Sequence, residues 1–249
     1  MKKLILFTGL VFFVFSSKAQ TLKDLQKKAD SVIKVLPTTT KVNSNSLTND
    51  EVINGLREAL TVGTNQSTAL ASKLDGFYKN PEIFIPFPQE VQAVKEYALK
   101  VGLKAQVNKF EMTLNRAAEE AAKSAAPIFI NAIKGMSITD GFTILKGNDN
   151  AATVYLQNKT TADLKRLFTP IVKKATSKVQ LTKYWTPLAS SYNRVPLVQK
   201  VNPDLNAYVT DRAIQGLFKL IADEELKIRK NPAARVSDLL KKVFGWTGK

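Results

Sequence analysis

The chain has 249 residues, of which 44% are hydrophobic, a composition that suffices for one sizeable domain. It contains neither cysteine nor histidine, which excludes disulfides, thiolate zinc sites, cysteine nucleophiles and histidine-based triads. The 37 basic and 21 acidic residues give a formal net charge of +16, and any general acid or base must be a carboxylate, a lysine or a tyrosine.

Residues 1–19 have the pattern of a secretory signal peptide. Lys2 and Lys3 precede a short apolar run, and Ser17 and Ala19 are the small residues that a signal peptidase requires. The run is too short to span about 30 Å of hydrocarbon, and no later stretch is long and apolar enough to do so. We therefore expect an exported protein with no transmembrane segment in its mature chain, in the periplasm of a Gram-negative bacterium.

Cleavage after Ala19 leaves 34 basic and 21 acidic residues, a net charge of +13. Residues 20–135 contribute +3 and residues 136–249 contribute +10. The densest basic stretch is 159–200. Most of the positive charge therefore lies in the C-terminal half, where we expect any anionic partner to bind.

The remaining chain is predicted to be a polar linker over residues 20–46 and a single all-α domain over residues 47–249. Apolar residues recur at helical spacing, alternating strand patterns are absent, and the many short helices argue against a simple four-helix bundle. The proline-flanked stretch 80–88 predicts an extended loop over the core, and residues 181–203 are predicted to be irregular. Roughly nine helices are expected, from ten candidate helical segments. These segments lie at about 48–63, 65–74, 89–101, 103–126, 128–134, 137–146, from 149 onward, 160–170 or beyond, 205–230 and 237–244.

A pair of carboxylates, Glu119 and Glu120, lies in the predicted helix 103–126. On a helical wheel Arg116 and Glu119 fall opposite the apolar face, and Arg116 is spaced to pair with Glu120. This arrangement predicts a solvated, ion-paired helix face, with a functional carboxylate pair as the alternative.

Glu224 lies in the middle of the apolar face of the predicted helix 205–230, whereas Arg229 points away from that face. A carboxylate on a buried face must be paired or have a raised pKa, so Glu224 is predicted to be a structural ion pair or a ligand-binding acid. Arg57 is the candidate partner. If the two residues pair, Glu224→Ala should destabilise the fold by several kcal/mol.

Basic residues mixed with Tyr184, Trp185 and Tyr192 predict an anion-binding surface, with a solvated basic face as the alternative. An exported protein rarely meets nucleic acid, so anionic lipid or glycan is the expected partner. Phosphate-binding glycine loops and metal-ligand clusters are missing, so neither a cofactor nor a metal is expected. The candidate surface residues are Lys165, Arg166, Lys173, Lys174, Lys178 and Lys183.

Several short motifs follow one another along the chain: INGLREAL at 53–60, LDGF at 74–77, LNRAAE at 114–119, IADEE at 221–225 and VFG at 243–245. Taken together they resemble a bacterial domain-of-unknown-function family, the one numbered 4197, over about residues 47–245. The resemblance implies an exported, all-helical protein but no activity, cofactor or catalytic residue. It singles out Asn115, Arg116, Glu119, Glu224, Glu225 and Arg229.

Three functional hypotheses follow. The first is a non-enzymatic envelope protein that binds a ligand or partner through a helical groove or its basic C-terminal half. The second is a carboxylate-based hydrolase of cell-wall or glycan substrates, with Glu224 or Glu119 as the acid and a second carboxyl group about 5–9.5 Å away. The third is a peripheral protein that binds anionic lipid or glycan.

Overall fold

The computed structural model describes residues 47–246, with the side chains of 138–140 left out. The predicted signal peptide and linker lie outside the described residues and stay predictions. Within residues 47–246 the fold is all-α, with nine α-helices and no strand, which confirms the predicted fold class. The helices are α1 (Asn49–Ala71), α2 (Gln92–Lys100), α3 (Lys104–Ala122), α4 (Ala126–Lys134), α5 (Ile138–Leu145), α6 (Ala151–Lys178), α7 (Leu181–Asn193), α8 (Leu205–Lys230) and α9 (Asp238–Phe244), with 3₁₀ turns at Gln89–Val91 and Pro232–Ala234.

The core is formed where α8 packs against α1 and α6, and where α3 packs against α6 and α7. An aromatic cluster links the N-terminal and C-terminal parts of this core. The ring centroids of Phe87 and Phe110 are 4.9 Å apart, and that of Phe110 lies 5.2 Å from Trp185. These rings are buried, so they contribute apolar area and favourable ring contacts at once.

Local sequence signals position several helix ends as predicted. Thr48 and Glu51 form a reciprocal capping box at the start of α1, and the Ser237 hydroxyl accepts the N–H of Leu240 at the start of α9. Gly102 follows α2 with φ +84°, a conformation that favours glycine. The predicted helix 205–230 coincides with α8.

The segment 80–88, called the strap below, packs over the core as predicted, although residues 81–83 form a turn and 84–88 do not. Its side chains Ile83, Ile85 and Phe87 are buried, whereas Phe84 is partly exposed. The Tyr208 hydroxyl of α8 donates a hydrogen bond of 3.0 Å to the Pro86 carbonyl. The strap therefore joins α3 and α8 without regular secondary structure.

Two predicted helix breaks, at Gly63 and Thr160, and one predicted irregular stretch are wrong. Helix α1 continues through Gly63, which lies so close to α8 that a Cβ there would be 3.3 Å from the Cβ of Glu224. Helix α6 continues through Thr160, whose hydroxyl donates to the Leu156 carbonyl, and through the exposed Pro170. Residues 181–193 form α7 around Pro187, so only the end of the stretch 181–203 is irregular. Here glycine allows close helix packing, threonine bonds within its helix, and the prolines lie at solvent-exposed positions. None of these residues ends a helix.

None of the helices within residues 47–246 combines the length and apolar composition needed to cross a membrane.

Candidate functional site

Asn115 of α3 holds the strap through a fully buried side-chain amide. Its Oδ1 accepts the N–H of Ile85 at 2.8 Å, and its Nδ2 donates to the Ile85 carbonyl at 2.9 Å. The same Nδ2 also donates to the Glu111 carbonyl at 2.8 Å. One amide thus satisfies both backbone groups of a buried residue that has no strand partner.

One turn further along α3, Glu119 holds the turn between α1 and the strap. Its Oε1 accepts the N–H groups of Phe77 and Tyr78, each at 3.1 Å. Its Oε2 accepts a hydrogen bond of 2.6 Å from Arg116, whose guanidinium also pairs with Asp75 at 2.6 Å. Asp75 itself has a left-handed backbone with φ +67°. This group of Asn115, Arg116 and Glu119 is called the α3 clamp.

The predicted solvated face around Glu119 is wrong for this residue. Glu119 is buried, with 4% of its surface exposed, and it pairs with Arg116. Its neighbour Glu120 does lie at the surface, where Lys123 and Lys178 bind it and hold the pKa of its carboxyl below the usual range. Arg116 faces the turn rather than solvent, because that turn covers the side of α3 opposite the core.

Glu225 and Arg229 form a second group, the α8 clamp, at the junction of α5 and α6. The Glu225 carboxylate accepts the N–H of Ala152 at 2.9 Å, and the N–H and hydroxyl of Thr153, both at 2.7 Å. Arg229 binds Glu225 at 2.8 Å. The α8 clamp therefore places an anion at the N-terminus of α6, where a helix favours negative charge.

The same Arg229 satisfies the C-terminus of α5. It donates to the carbonyls of Ile144 and Leu145 at 3.0 and 3.1 Å, and only 9% of its side chain is exposed. The prediction that Arg229 points away from the core is thus wrong. A cation at the end of one helix and an anion at the start of the next stabilise both helix dipoles with one ion pair.

The cavity beside Glu225 gives no access to a substrate. It is lined by apolar side chains such as Leu60, Ile221 and Ile228, and its volume is about 10 Å³. That space hardly holds one water molecule. The Glu225 carboxylate accepts from the backbone of Ala152 and Thr153, from the Thr153 hydroxyl and from Arg229, so it is a structural group.

The predicted pair between Glu224 and Arg57 does not form. Glu224 has 19% of its side chain exposed and pairs with Lys227, one turn along α8. Arg57 donates instead to the carbonyl of Met136, between α4 and α5. The Cβ of Glu224 does face α1 at Gly63, as the helical wheel indicates, but its carboxylate reaches the surface.

A groove between α4 and α6, called the α4–α6 groove, has a volume of about 520 Å³. Leu156 and Leu164 form its buried floor, and Leu167, with 40% of its surface exposed, lies on its α6 side. Lys159 and Arg166 are its cations. The other lining residues are Ile128, Asn131, Ala132, Gly135, Ser137, Tyr155, Thr160 and Asp163.

Of the six predicted surface cations, four have polar partners. Lys165 pairs with Asp211, Arg166 with Asp163, and Lys178 with Glu120, whereas Lys183 contacts the amide of Gln180. These contacts are on the surface, where an ion pair contributes about 0–1 kcal/mol. Lys173 and Lys174 are exposed and have no acidic partner among residues 47–246.

Lys159, Arg166 and Lys173 recur every seven residues on α6, and all three are exposed. At 100° and 1.5 Å per residue they lie within about 40° of each other over about 21 Å. We call these three residues the cationic row. The Nζ of Lys159 lies 5.7 Å from the ring centroid of Tyr155, one turn earlier. The first two residues of the row line the α4–α6 groove, so charge and groove coincide.

The sequence interpretation expected a helical groove but did not locate it, and it did not single out Lys159. The seven-residue spacing is visible in the sequence, but a predicted helix start at Thr160 placed Lys159 on another element. The α4 wall, with Ile128 and Ala132, becomes visible only in the folded chain.

Within the described part of the chain, no three carboxylates come together to form a metal site. No curated protein and no solved structure matched the chain. A family model described as "Protein of unknown function (DUF4197)" matches residues 46–245, which span the α3 clamp, the α4–α6 groove and the α8 clamp. The chain therefore belongs to this family, as the sequence motifs indicate.

Proposed function

We propose that this protein is an exported, non-enzymatic helical module that binds anionic lipid surfaces through the cationic row on α6. The observation that carries the proposal is the row itself: three exposed cations share one helix face over about 21 Å. Lys159 and Lys173 have no acidic partner among the described residues, so their charge is available to an external anion.

The carboxylates of Glu119, Glu224 and Glu225 already have hydrogen-bond or ion-pair partners, which supports a binding role over the alternative of a hydrolase. Glu119 and Glu225 are buried and satisfied by backbone N–H groups and an arginine. Glu224 is held by Lys227 at the surface. A glycoside hydrolase needs one carboxyl group that can be protonated and a second across an open cleft. Glu119 and Glu225 instead stabilise the fold, and Glu224 forms a surface ion pair.

The expected affinity follows from the number of cations. Each lysine or arginine near an anionic membrane surface contributes about 1 kcal/mol, so the cationic row contributes about 3 kcal/mol. That corresponds to roughly a hundredfold increase in binding. The contribution should fall steeply with salt, because exposed charges are screened over about 10 Å at 0.1 M ionic strength.

The test is co-sedimentation of the mature protein with vesicles that contain phosphatidylglycerol, compared with vesicles of phosphatidylcholine alone. The double variant Lys159→Glu/Lys173→Glu should lose most of the binding. The matched control is Lys73→Glu/Lys104→Glu, which changes the net charge by the same amount. Lys73 follows α1 and Lys104 begins α3, so both are exposed and neither is on α6. Equal losses in both double variants, or binding that is insensitive to salt, would overturn the proposal.

A further inference from the structure

The α4–α6 groove differs from the rest of the cationic face in its apolar floor. Leu156 and Leu164 are each 1% exposed beneath it, and Ile128 and Ala132 close it from the side of α4. Leu167 exposes 40% of its surface directly beside Arg166. A surface that binds only headgroups or glycans does not need a groove of this volume with a leucine floor.

The groove has the dimensions of one lipid tail. The lining residues of α6 run from Tyr155 to Leu167, which is about 18 Å at 1.5 Å per residue. One leaflet of a bilayer contributes about half of the 30 Å hydrocarbon thickness, or about 15 Å. The volume of about 520 Å³ lies within the ordinary range for small-molecule sites.

The charged residues of the groove belong to α6, the helix that also supplies its leucine floor. Lys159 has no acidic partner among residues 47–246. The pair of Arg166 and Asp163 is exposed, with about 70% of each side chain in solvent, so it can be exchanged for another anion. The groove therefore combines two cations with a leucine floor, and Asn131, Thr160 and Asp163 are polar side chains in the same lining.

We infer that the α4–α6 groove binds a single anionic lipid with one acyl chain, with the chain along Leu156, Leu164 and Leu167 and the headgroup at Lys159 and Arg166. This inference rests on the proposed function and deepens it from surface attachment to the capture of one amphiphile. A zwitterionic lipid has the same chain but repels the two cations with its own positive charge, so the site favours the anion.

The probe is palmitoyl lysophosphatidylglycerol below its micelle concentration, titrated calorimetrically into the mature protein. Saturable binding at one molecule per chain with a negative heat-capacity change is expected, because apolar surface is buried. Lysophosphatidylcholine with the same chain should bind more weakly. The free headgroup, glycerophosphoglycerol, should not bind measurably.

Leu167→Glu tests the apolar part of the site. It should weaken binding at least about tenfold, since it removes apolar contact with the acyl chain and places a carboxylate against hydrocarbon. Val154→Glu is the matched control: Val154 is also on α6 and also 40% exposed, but it does not line the groove. Binding of the control should stay within about twofold of the wild type, and equal effects of the two variants would overturn the inference.

A lysolipid with a diazirine at the end of its chain locates the tail directly. Photo-adducts are expected on Ile128, Ala132, Leu164 or Leu167, and adducts elsewhere would overturn the inference. If vesicles bind but the monomeric lysolipid does not, the groove inference fails while the surface proposal stands. If the lysolipid binds but Lys159→Glu/Lys173→Glu leaves vesicle binding intact, the surface proposal fails.

Discussion

Glu225 caps the first turn of α6 through a residue that lies 72 positions before it in the chain: its Oε2 accepts both the N–H and the hydroxyl of Thr153 at 2.7 Å. A capping side chain ordinarily comes from the residue just before the helix. Here Asn150 makes no side-chain cap, and the carboxylate comes from the C-terminal part of α8. Tertiary packing therefore supplies what local sequence leaves out.

Glu225→Ala should lower the free energy of unfolding by about 3–5 kcal/mol, because it leaves Arg229 buried without its carboxylate and frees the first turn of α6. Glu224→Ala, one residue earlier, is the control. It removes a surface pair with Lys227 and should cost about 1 kcal/mol or less. Urea unfolding followed by circular dichroism measures both, and comparable losses would contradict the assigned roles.

Asn115→Asp should destabilise the protein by at least about 2 kcal/mol. The new carboxylate can accept the N–H of Ile85, but it cannot donate to the carbonyls of Ile85 and Glu111. These two carbonyl oxygens would then lie against a buried negative charge. Asn108→Asp, on an exposed position of the same helix, should have little effect. Hydrogen exchange at the Ile85 amide should accelerate in the first variant and not in the second.

Asp75 should make the stability of the protein depend on pH. Hydrogen bonds from Lys79 and then Arg116 hold the pKa of its carboxyl below the ordinary value of 3.8. Its stabilising contribution is therefore present above pH 3.8 and is lost as the pH falls through the lower pKa of the folded state. The difference in unfolding free energy between wild type and Asp75→Asn should be largest near neutral pH and shrink below pH 3.8. Urea titrations at low salt measure it, and a constant difference would contradict the assignment.

Gly216→Ala should destabilise the protein by about 1–3 kcal/mol, although alanine favours helices. A Cβ at this position of α8 would lie 2.9 Å from the ring of Phe77 and 3.1 Å from the Cβ of Ile83. The strap would have to move away from α8. Gly135→Ala is the control, since Gly135 has φ −80° and its nearest atom would be 3.4 Å away. The melting temperature of Gly216→Ala should lie several degrees below that of Gly135→Ala.

Helix α8 could be predicted from the sequence at both ends, because its apolar positions repeat regularly and Asn231 and a following proline end it. Helix α6 could not, because Thr160, which is predicted to cap the start of a helix, lies inside a longer one and donates its hydroxyl to the Leu156 carbonyl. The prediction failed where a residue type that often caps a helix instead bonds to the preceding turn.

The candidate site was less predictable than the fold. A helical wheel gives the direction of a Cβ relative to the apolar face of the same helix. It correctly places the Cβ of Glu224 toward α1, but the carboxylate extends from there to Lys227. It places Glu119 away from the core, but the turn that follows α1 covers that side. The α4–α6 groove depends on which helices become neighbours, and no spacing within one helix contains that information.

The long-range cap of α6 also orders events in the biosynthesis of the chain. Synthesis proceeds from the N-terminus, so the residues of α6 leave the ribosome well before Glu225 does. Until then the N–H groups of Ala152 and Thr153 lack the acceptor that the native fold provides. The first turn of α6, and with it the wall that carries Tyr155 and Lys159, can become fully ordered only when the chain is nearly complete. A chain truncated before α8 keeps the sequence of this wall but lacks the acceptor that stabilises its first turn.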